Sequence, residues 1–323
     1  MGLNTERART AGSTRARRVG QLLLAVLALG ASARPAAAQA RSEGYGAVVL
    51  NAPASVEAAA YGNVPYLLGG GADLLFYSPA LIGRASGMAA SLHRYGSEGT
   101  LATLAGKGAV GLGDFAVGLQ YLRYEGVGIA PTPVVPGTLA RPGGSPATEV
   151  AASLGYAREM FGLFGAGVVA KYIELQFPRG MDRALVLDLG VAREFGPTMV
   201  SLAARNLGSD LDVGGRGLRI PTHLALGVST RRFEVGELDM LLTGQILRRR
   251  DGEMIPAGGV ELSYWPVQGY TFRLRAGLQR VAEDERSPFT FGLAFTGDAL
   301  TVEYAFQAFD VEGNAHRLGL SFR

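Results

Sequence analysis

The stretch that decides the fold is YTFRLRAGLQ, residues 270–279. Every even-numbered residue in it is apolar and every odd-numbered residue is polar or glycine, which is the period of a β-strand with two different faces. If the polar face were turned towards lipid, Arg273 and Arg275 would each cost about 2–4 kcal/mol near the middle of a bilayer. The pattern therefore predicts a strand of a membrane barrel, with arginines facing inward and aromatic side chains facing outward.

The same alternation recurs along the chain in segments of about ten residues that are separated by turn residues. Fourteen such segments are predicted, and they begin near Gly87, Gly99, Gly113, Ala147, Phe161, Asp182, Pro197, Thr222, Leu238, Met254, Tyr270, Pro288, Leu300 and Asn314. Their inward positions are rich in Gly, Ala, Ser and Thr. Small inward side chains predict an open lumen, because a soluble barrel fills its interior with large apolar residues.

The predicted connections differ according to whether they follow an even-numbered or an odd-numbered segment. After even-numbered segments they are tight, as in EFGP (residues 194–197) and TGDA (residues 296–299). After most odd-numbered segments they are longer and more polar, as in residues 126–146 and 207–221. This sorting is typical of an all-β, transmembrane antiparallel barrel with both chain ends on the periplasmic side, and a soluble sandwich gives no reason for it.

Residues 1–40 have the three parts of a secretory signal peptide. A basic region ends at Arg17 and Arg18, and it is followed by an apolar run that includes Leu22–Leu29. Ala38–Ala40 then form an A-x-A cleavage site. The apolar run is too short to cross a bilayer as a helix, which needs roughly 20 residues. We therefore expect export of the chain and cleavage after this segment.

The charge of the exported chain differs from that of the whole sequence. Six of the 31 Lys and Arg and one of the 28 Asp and Glu lie in residues 1–40, which leaves 25 basic and 27 acidic side chains, a formal net charge of −2. This balance gives no electrostatic basis for binding nucleic acid, and none is predicted as a partner.

The sequence offers little that could carry catalysis. It has no cysteine, which excludes disulfides and thiolate metal sites. His93, His223 and His316 fall on different predicted strands without the spacing of metal ligands, so neither a metal nor a cofactor is predicted. A hydrolase at the barrel rim would need a Ser or Asp beside one of these histidines, and the sequence singles out none. We predict that the chain is not an enzyme, with a rim hydrolase as the remaining catalytic alternative.

The segment from Arg41 to Ser86 does not have the pattern of barrel strands. It contains the triple glycine 69–71 and the apolar sequence ADLLFYSPALIG at residues 72–83. A segment of this size ahead of fourteen strands fits inside the lumen as a hatch, and the alternative is a disordered periplasmic extension. Its apolar content favours the hatch. The predicted domains are thus a signal peptide (1–40), a hatch (41–86) and a barrel (87–323).

Four stretches of the sequence resemble a known family. They are DLLFYSPALIG (73–83), SLAARNLGSDL (201–211), RIPTHLALGVS (219–229) and VEYAFQAFDVEGNAHRLGLSFR (302–323). Together they are similar to the PorV/PorQ family of outer-membrane proteins and its FadL-like relatives. The chain departs from the family pattern at Ser78 and Leu81, where Asn and Gly are usual, and at Arg323, which follows the usual terminal aromatic residue.

The resemblance implies a fourteen-stranded barrel with an N-terminal hatch in the outer membrane of a Gram-negative-type bacterium. Its hatch motif would be Asp73, Phe76, Tyr77, Ser78 and Pro79. Two roles are implied: passage of hydrophobic solutes such as long-chain fatty acids, or a part in type IX secretion as a shuttle or tether. The expected partners are outer-membrane lipids, with either a hydrophobic solute or secretion-machinery proteins.

Five side chains are candidates for lining the lumen. They are Arg273, Arg275, Glu303, His316 and Arg317. Because the last two predicted strands are neighbours, Glu303 is expected to pair with Arg317. The group is expected to form either a salt-bridge network that docks the hatch or a constriction that selects solutes.

Overall fold

The computed structural model describes residues 46–95, 99–111, 113–126, 145–177, 180–213, 216–281, 286–309 and 314–323. The predicted signal peptide lies outside these residues, as does most of the proline-rich connection at 126–146.

Fourteen antiparallel strands form one closed sheet. The strands are β1 Met88–Tyr95, β2 Gly99–Val110, β3 Gly113–Gly126, β4 Ser145–Met160, β5 Phe164–Phe177, β6 Gly180–Phe195, β7 Thr198–Gly208, β8 His223–Thr230, β9 Leu238–Arg249, β10 Met254–Val267, β11 Tyr270–Gln279, β12 Arg286–Thr296, β13 Leu300–Phe309 and β14 Ala315–Phe322. Phe233–Val235 continues β8 and pairs with β9. Each strand pairs with its neighbours in sequence, and β14 pairs with β1 to close the barrel.

The predicted barrel is therefore confirmed, and each strand begins within three residues of its predicted start. The faces also alternate as predicted. On β6, Leu185, Leu187 and Leu189 are 72%, 47% and 50% exposed, whereas Val186 and Asp188 between them are buried. Since leucine on the outer face is stable only against hydrocarbon, this surface is the one that a bilayer would cover.

The connections lie at two distinct ends of the barrel. The short-turn end carries tight connections such as Phe161–Leu163 and Gly196–Pro197. The long-loop end carries a small hairpin in which Leu211–Val213 pairs with Arg216–Leu218. The chain reaches β1 at the short-turn end through Gly87, whose φ of 61° suits glycine.

Residues 46–86, called the inner segment below, form short helices and turns. The helices are a 3-10 turn at Val48–Leu50, α1 at Val56–Ala60, and two 3-10 helices at Ala72–Phe76 and Pro79–Arg84. Ser55 caps α1 by accepting a hydrogen bond from the Ala58 N–H at 3.2 Å. Among the described residues, no helix is both long and apolar enough to cross a membrane.

One side chain ties the inner segment together. The Tyr77 hydroxyl accepts the N–H of Ala54 at 3.1 Å and of Ser55 at 3.3 Å, and it donates to Asn63 Oδ1 at 2.9 Å. Three separate stretches of the segment are thus joined at one buried hydroxyl, which satisfies backbone groups that a short helix leaves unpaired.

Candidate functional site

Glycines on the inner face of the barrel let the inner segment approach the wall. On eight strands a Cβ added to the glycine would lie 3.0 Å or less from an atom of the inner segment, so a side chain there would force the wall or the segment to shift. We call these residues the glycine seat: Gly118, Gly155, Gly167, Gly190, Gly259, Gly277, Gly292 and Gly319. The small inward residues therefore make room for the protein's own chain, and the open lumen predicted from them is wrong.

The hatch motif predicted from the resemblance lies in the inner segment and contacts the wall. Phe76 packs at Gly118 on β3, and Pro79 packs at Gly167 and Gly190 on β5 and β6. Ser78 Oγ is hydrogen-bonded to Ser201 Oγ on β7 at 2.9 Å. These contacts place the motif on the side of the barrel formed by β3 to β7.

On the opposite side, one arginine binds three carboxylates. Arg275 on β11 contacts Glu261 on β10 at 2.8 Å, Glu303 on β13 at 2.5 Å and Glu57 of helix α1 at 3.1 Å. Its guanidinium lies 5.3 Å from the centre of the Tyr61 ring, and the Tyr61 hydroxyl donates to Glu261 at 2.5 Å. We call these five residues the Arg275 cluster. Two of them, Glu57 and Tyr61, belong to the inner segment, so the cluster joins that segment to the wall.

The register of the strands corrects the predicted pair of Glu303 with Arg317. Gly319 lies opposite Glu303, and Ala305 lies opposite Arg317. Arg275 reaches Glu303 instead, because the β12 residues paired with them are the small Gly292 and Ala294. Arg317 Nη2 donates to Gln307 Oε1 at 3.2 Å, and the prediction that it pairs with Glu303 is wrong.

The structure also corrects the position of His316. Ala315 and Arg317 are buried on the inner face, so the residue between them must face outward. His316 is exposed there, and its Nδ1 is hydrogen-bonded to the Tyr304 hydroxyl at 2.8 Å. It does not line the lumen, and the strict alternation of β14 was the signal that excluded it.

A polar pocket of about 150 Å³ lies beside the Arg275 cluster near the short-turn end. Its lining includes Glu57, Asp73, Arg232, Arg273 and Glu303. Arg232 binds Glu261 at 2.7 Å, and Arg273 donates to Thr296 Oγ1 at 2.7 Å. Within the described ranges, no three side chains converge as the ligands of a metal ion would.

Burial changes the acidity of the two carboxyl groups that the inner segment contributes. It raises the pKa of Glu57 to about 7, and the attraction of Arg275 offsets this only in part. It likewise raises the pKa of Asp73 to about 6, against a hydrogen bond from Ser55 that lowers it. Both groups therefore change charge near neutral pH.

A second polar group, around Lys171, was missed by the sequence analysis. Lys171 Nζ binds Asp188 at 2.6 Å and donates to Asn206 Oδ1 at 3.0 Å, and all three side chains are buried. Asn206 adopts a left-handed conformation with φ of 57°. Asp188 lies between the outward Leu187 and Leu189, and Lys171 lies between Ala170 and the outward Tyr172, so a charged residue at an inward position was the available signal for these two. Asn206 follows the buried Arg205 and does not fit the alternation, so the sequence carried no signal for it.

At the long-loop end the inner segment is held by apolar contacts. Val48–Leu50 packs against a buried apolar set that we call the apolar cap: Tyr95, Leu101, Leu122, Leu175, Leu211, Leu218 and Ile220. Two polar side chains also bind Val49: Glu149 accepts its N–H at 2.8 Å and the Tyr124 hydroxyl at 2.8 Å, and Gln120 Nε2 donates to its carbonyl at 3.1 Å.

These features define a fourteen-stranded antiparallel β-barrel of the kind found in outer-membrane proteins. The crystal structure of the Pseudomonas putida toluene transporter TodX is similar, with a TM-score of 0.53 and 11% identity over 86% of this chain and 96% of that one. A deltaS2 mutant of TodX, described as a monoaromatic hydrocarbon channel, gives a TM-score of 0.52 and 10% identity over 87% and 99%. No protein-family model matches this chain, and no curated protein matches its sequence. At such low identity the likeness establishes the fold.

Proposed function

We propose that this protein is an outer-membrane channel for small hydrophobic solutes and that its inner segment is the hatch of that channel. The observation that carries the proposal is the glycine seat. On eight strands an inward glycine lets the inner segment lie directly against the barrel wall. The barrel fold shared with a toluene transporter supports the choice of an apolar solute.

The lining of the hatch favours an apolar passenger. Leu75, Phe76 and Ile82 of the inner segment pack against Ala116 and Val169 of the wall. If the hatch moved aside, this apolar surface would be uncovered, and a hydrocarbon would be stabilised there by roughly 25 cal/mol per Å² of area removed from water. The Arg275 cluster would then be the ionic contact that must be broken for the hatch to move.

A cysteine lock tests the proposal. The chain has no cysteine, so Val56→Cys with Gly319→Cys introduces a single pair. A Cβ at position 319 would lie 3.2 Å from Val56 Cβ, close to the roughly 3.5–4.5 Å of a disulfide. We expect oxidation of this pair to stop toluene uptake into vesicles that carry the barrel, and reduction to restore it.

Each single-cysteine variant is the matched control, and its rate of toluene transport should not depend on redox state. A second pair, Gly71→Cys with Ala89→Cys, repeats the test at another contact, where the two Cβ atoms would lie 3.3 Å apart. If oxidised and reduced proteins transport equally, the inner segment is not a hatch. Oleate is tested in the same way in a second set of vesicles. If neither the oxidised nor the reduced protein transports toluene or oleate, the channel proposal fails.

A second candidate is a secretion-associated shuttle or tether of PorV/PorQ type. It is favoured by how little space is left beside the inner segment, since the two cavities described there have volumes of about 150 and 30 Å³. A tether needs no moving hatch. This role predicts that the oxidised and reduced lock variants capture a secretion-machinery protein equally well. It also predicts that neither form transports solute.

A further inference from the structure

A small cavity that is partly open to solvent lies between the inner segment and the wall of β3, β5, β7, β8 and β9. Its volume is about 30 Å³. Its polar lining consists of Asn51, Asn63, Gln120, Lys171, Arg205 and His223. A cavity needs roughly 10–15 Å³ in the same measure to hold one water molecule, so this cavity admits a group of that size or slightly larger.

Arg205 brings a positive charge to this cavity without a carboxylate to balance it. Its side chain is 8% exposed, Nη2 donates to the carbonyl of Phe76 at 2.5 Å, and the Tyr77 ring centre lies 5.5 Å away. In the described part of the chain no carboxylate forms an ion pair with Arg205. The nearby Asp188 is already bound to Lys171 at 2.6 Å. A buried charge without a partner is costly, and an anion would remove that cost.

Two buried nitrogen atoms of residues that line the cavity lack hydrogen-bond partners in the described part of the chain. One is Arg205 Nε and the other is His223 Nε2. His223 Nδ1 is 3.0 Å from the carbonyl of Pro221, and because a carbonyl only accepts, Nδ1 carries the proton. His223 is 6% exposed, so the solvent does not satisfy Nε2. In this tautomer Nε2 can only accept a hydrogen bond, so the positive charge that an anion would balance is that of Arg205.

The inner segment supplies a further donor. Asn63 Oδ1 accepts the hydroxyl of Tyr77 at 2.9 Å, which leaves the Asn63 Nδ2–H groups for the cavity that it lines. Donors from the wall and from the inner segment thus surround one space of atomic size.

We propose that this cavity binds a monoatomic anion of the size of chloride. The unbalanced guanidinium of Arg205 supplies the charge, that guanidinium and the Asn63 Nδ2–H groups supply donors, and a volume of about 30 Å³ excludes sulfate or a carboxylate on an alkyl chain. Because the ion would contact both Arg205 of the wall and Asn63 of the inner segment, its binding stabilises the seated form of that segment. A water molecule is the competing occupant, and it would leave the charge of Arg205 unbalanced.

Bromide scattering tests the site in the unaltered protein. Crystals grown in sodium bromide should show an anomalous peak between Arg205 and Asn63, and the peak should be absent from crystals grown in sodium gluconate. This measurement needs no variant, so it decides the proposal even if substitutions at Arg205 prevent folding. An ordered water without anomalous signal at this position would overturn it.

Stability measurements test the same site in solution. At fixed ionic strength, replacing gluconate by chloride should raise the midpoint of thermal unfolding, since a ligand that binds only the folded state stabilises it by mass action. Sulfate should have no such effect beyond that of gluconate, because it does not fit. Arg205→Gln should abolish the chloride dependence, whereas Arg183→Gln, at a position 56% exposed beside Glu174, should retain it. A chloride effect that is the same in both variants would refute the site and leave the proposed channel untouched, because neither measurement depends on transport.

Discussion

The inner segment is held at two places by different physical means. At the long-loop end Val48–Leu50 is buried in the apolar cap, whose contacts have no preferred direction. Farther along the segment, Glu57 and Tyr61 join the Arg275 cluster, in which each group depends on the position of the others. The apolar contact depends on area, and the ionic contact depends on geometry and charge.

Of the two kinds of contact, only the ionic one suits a switch. Apolar packing weakens gradually as area is lost, and it responds little to pH. A buried ion cluster is only weak evidence for stability, because desolvation offsets most of the attraction, but removing one member leaves the others unbalanced. The Arg275 cluster therefore holds the segment in one position and can be released by a change of charge.

The largest effect is expected from Arg275→Met. Glu261 and Glu303 would remain buried without their shared cation, so the free energy of unfolding should fall by about 3–5 kcal/mol. Urea titration of the refolded barrel in detergent measures this loss. Proteolysis should also cut the inner segment within residues 56–62.

Two comparisons make this prediction specific. Arg183→Met removes an exposed pair with Glu174, which should cost only about 0–1 kcal/mol. Adding Glu261→Gln and Glu303→Gln to Arg275→Met should recover part of the loss, since the unbalanced charges are gone. If Arg275→Met is no worse than Arg183→Met, the cluster does not hold the inner segment.

The apolar cap should respond next. Leu122→Ala leaves a cavity at a fully buried position, and we expect a loss of about 3 kcal/mol. Unlike the loss in Arg275→Met, this loss should be the same at pH 6 and pH 7.5. Urea titrations at the two values provide the check, and a pH-dependent loss would erase the distinction between the two contacts.

The sequence predicted the strands well because each carries its own period. The alternation in residues 270–279 is enough to predict which side chains face the barrel interior and which face outward. The pair of Glu303 with Arg275 could not be predicted in this way, because it crosses β12 and depends on the register of three strands. The glycine seat could not be predicted for the same reason. The sequence around a strand glycine does not reveal which distant segment packs against it.

A smaller effect is expected from filling the glycine seat. In Gly277→Ala the new Cβ would meet the backbone of Tyr61 and Gly62, which cannot move as a flexible side chain would. Overpacking of this kind costs about 1–3 kcal/mol. Gly108→Ala, on β2 with open space around the glycine, is the matched control. Hydrogen exchange of residues 55–66 should become faster in Gly277→Ala alone; equal exchange would show that the seat tolerates a side chain.

The smallest effect is expected from pH. Burial raises the pKa of Glu57 from 4.5 to about 7 in the seated segment, where Arg275, Glu303, Glu261 and Asp73 face it. The seated form therefore binds more protons than the released form, so seating is strongest at acidic pH and weakens as pH rises towards about 7. Between pH 6 and pH 7.5 we expect a loss on the order of 1 kcal/mol, seen as faster hydrogen exchange of residues 55–66 after correction for the intrinsic rate.

Glu57→Gln should remove most of this pH dependence and Leu122→Ala should leave it intact. Slower corrected exchange at the higher pH would mean that Glu57 is held by its attraction to Arg275 more strongly than burial opposes it.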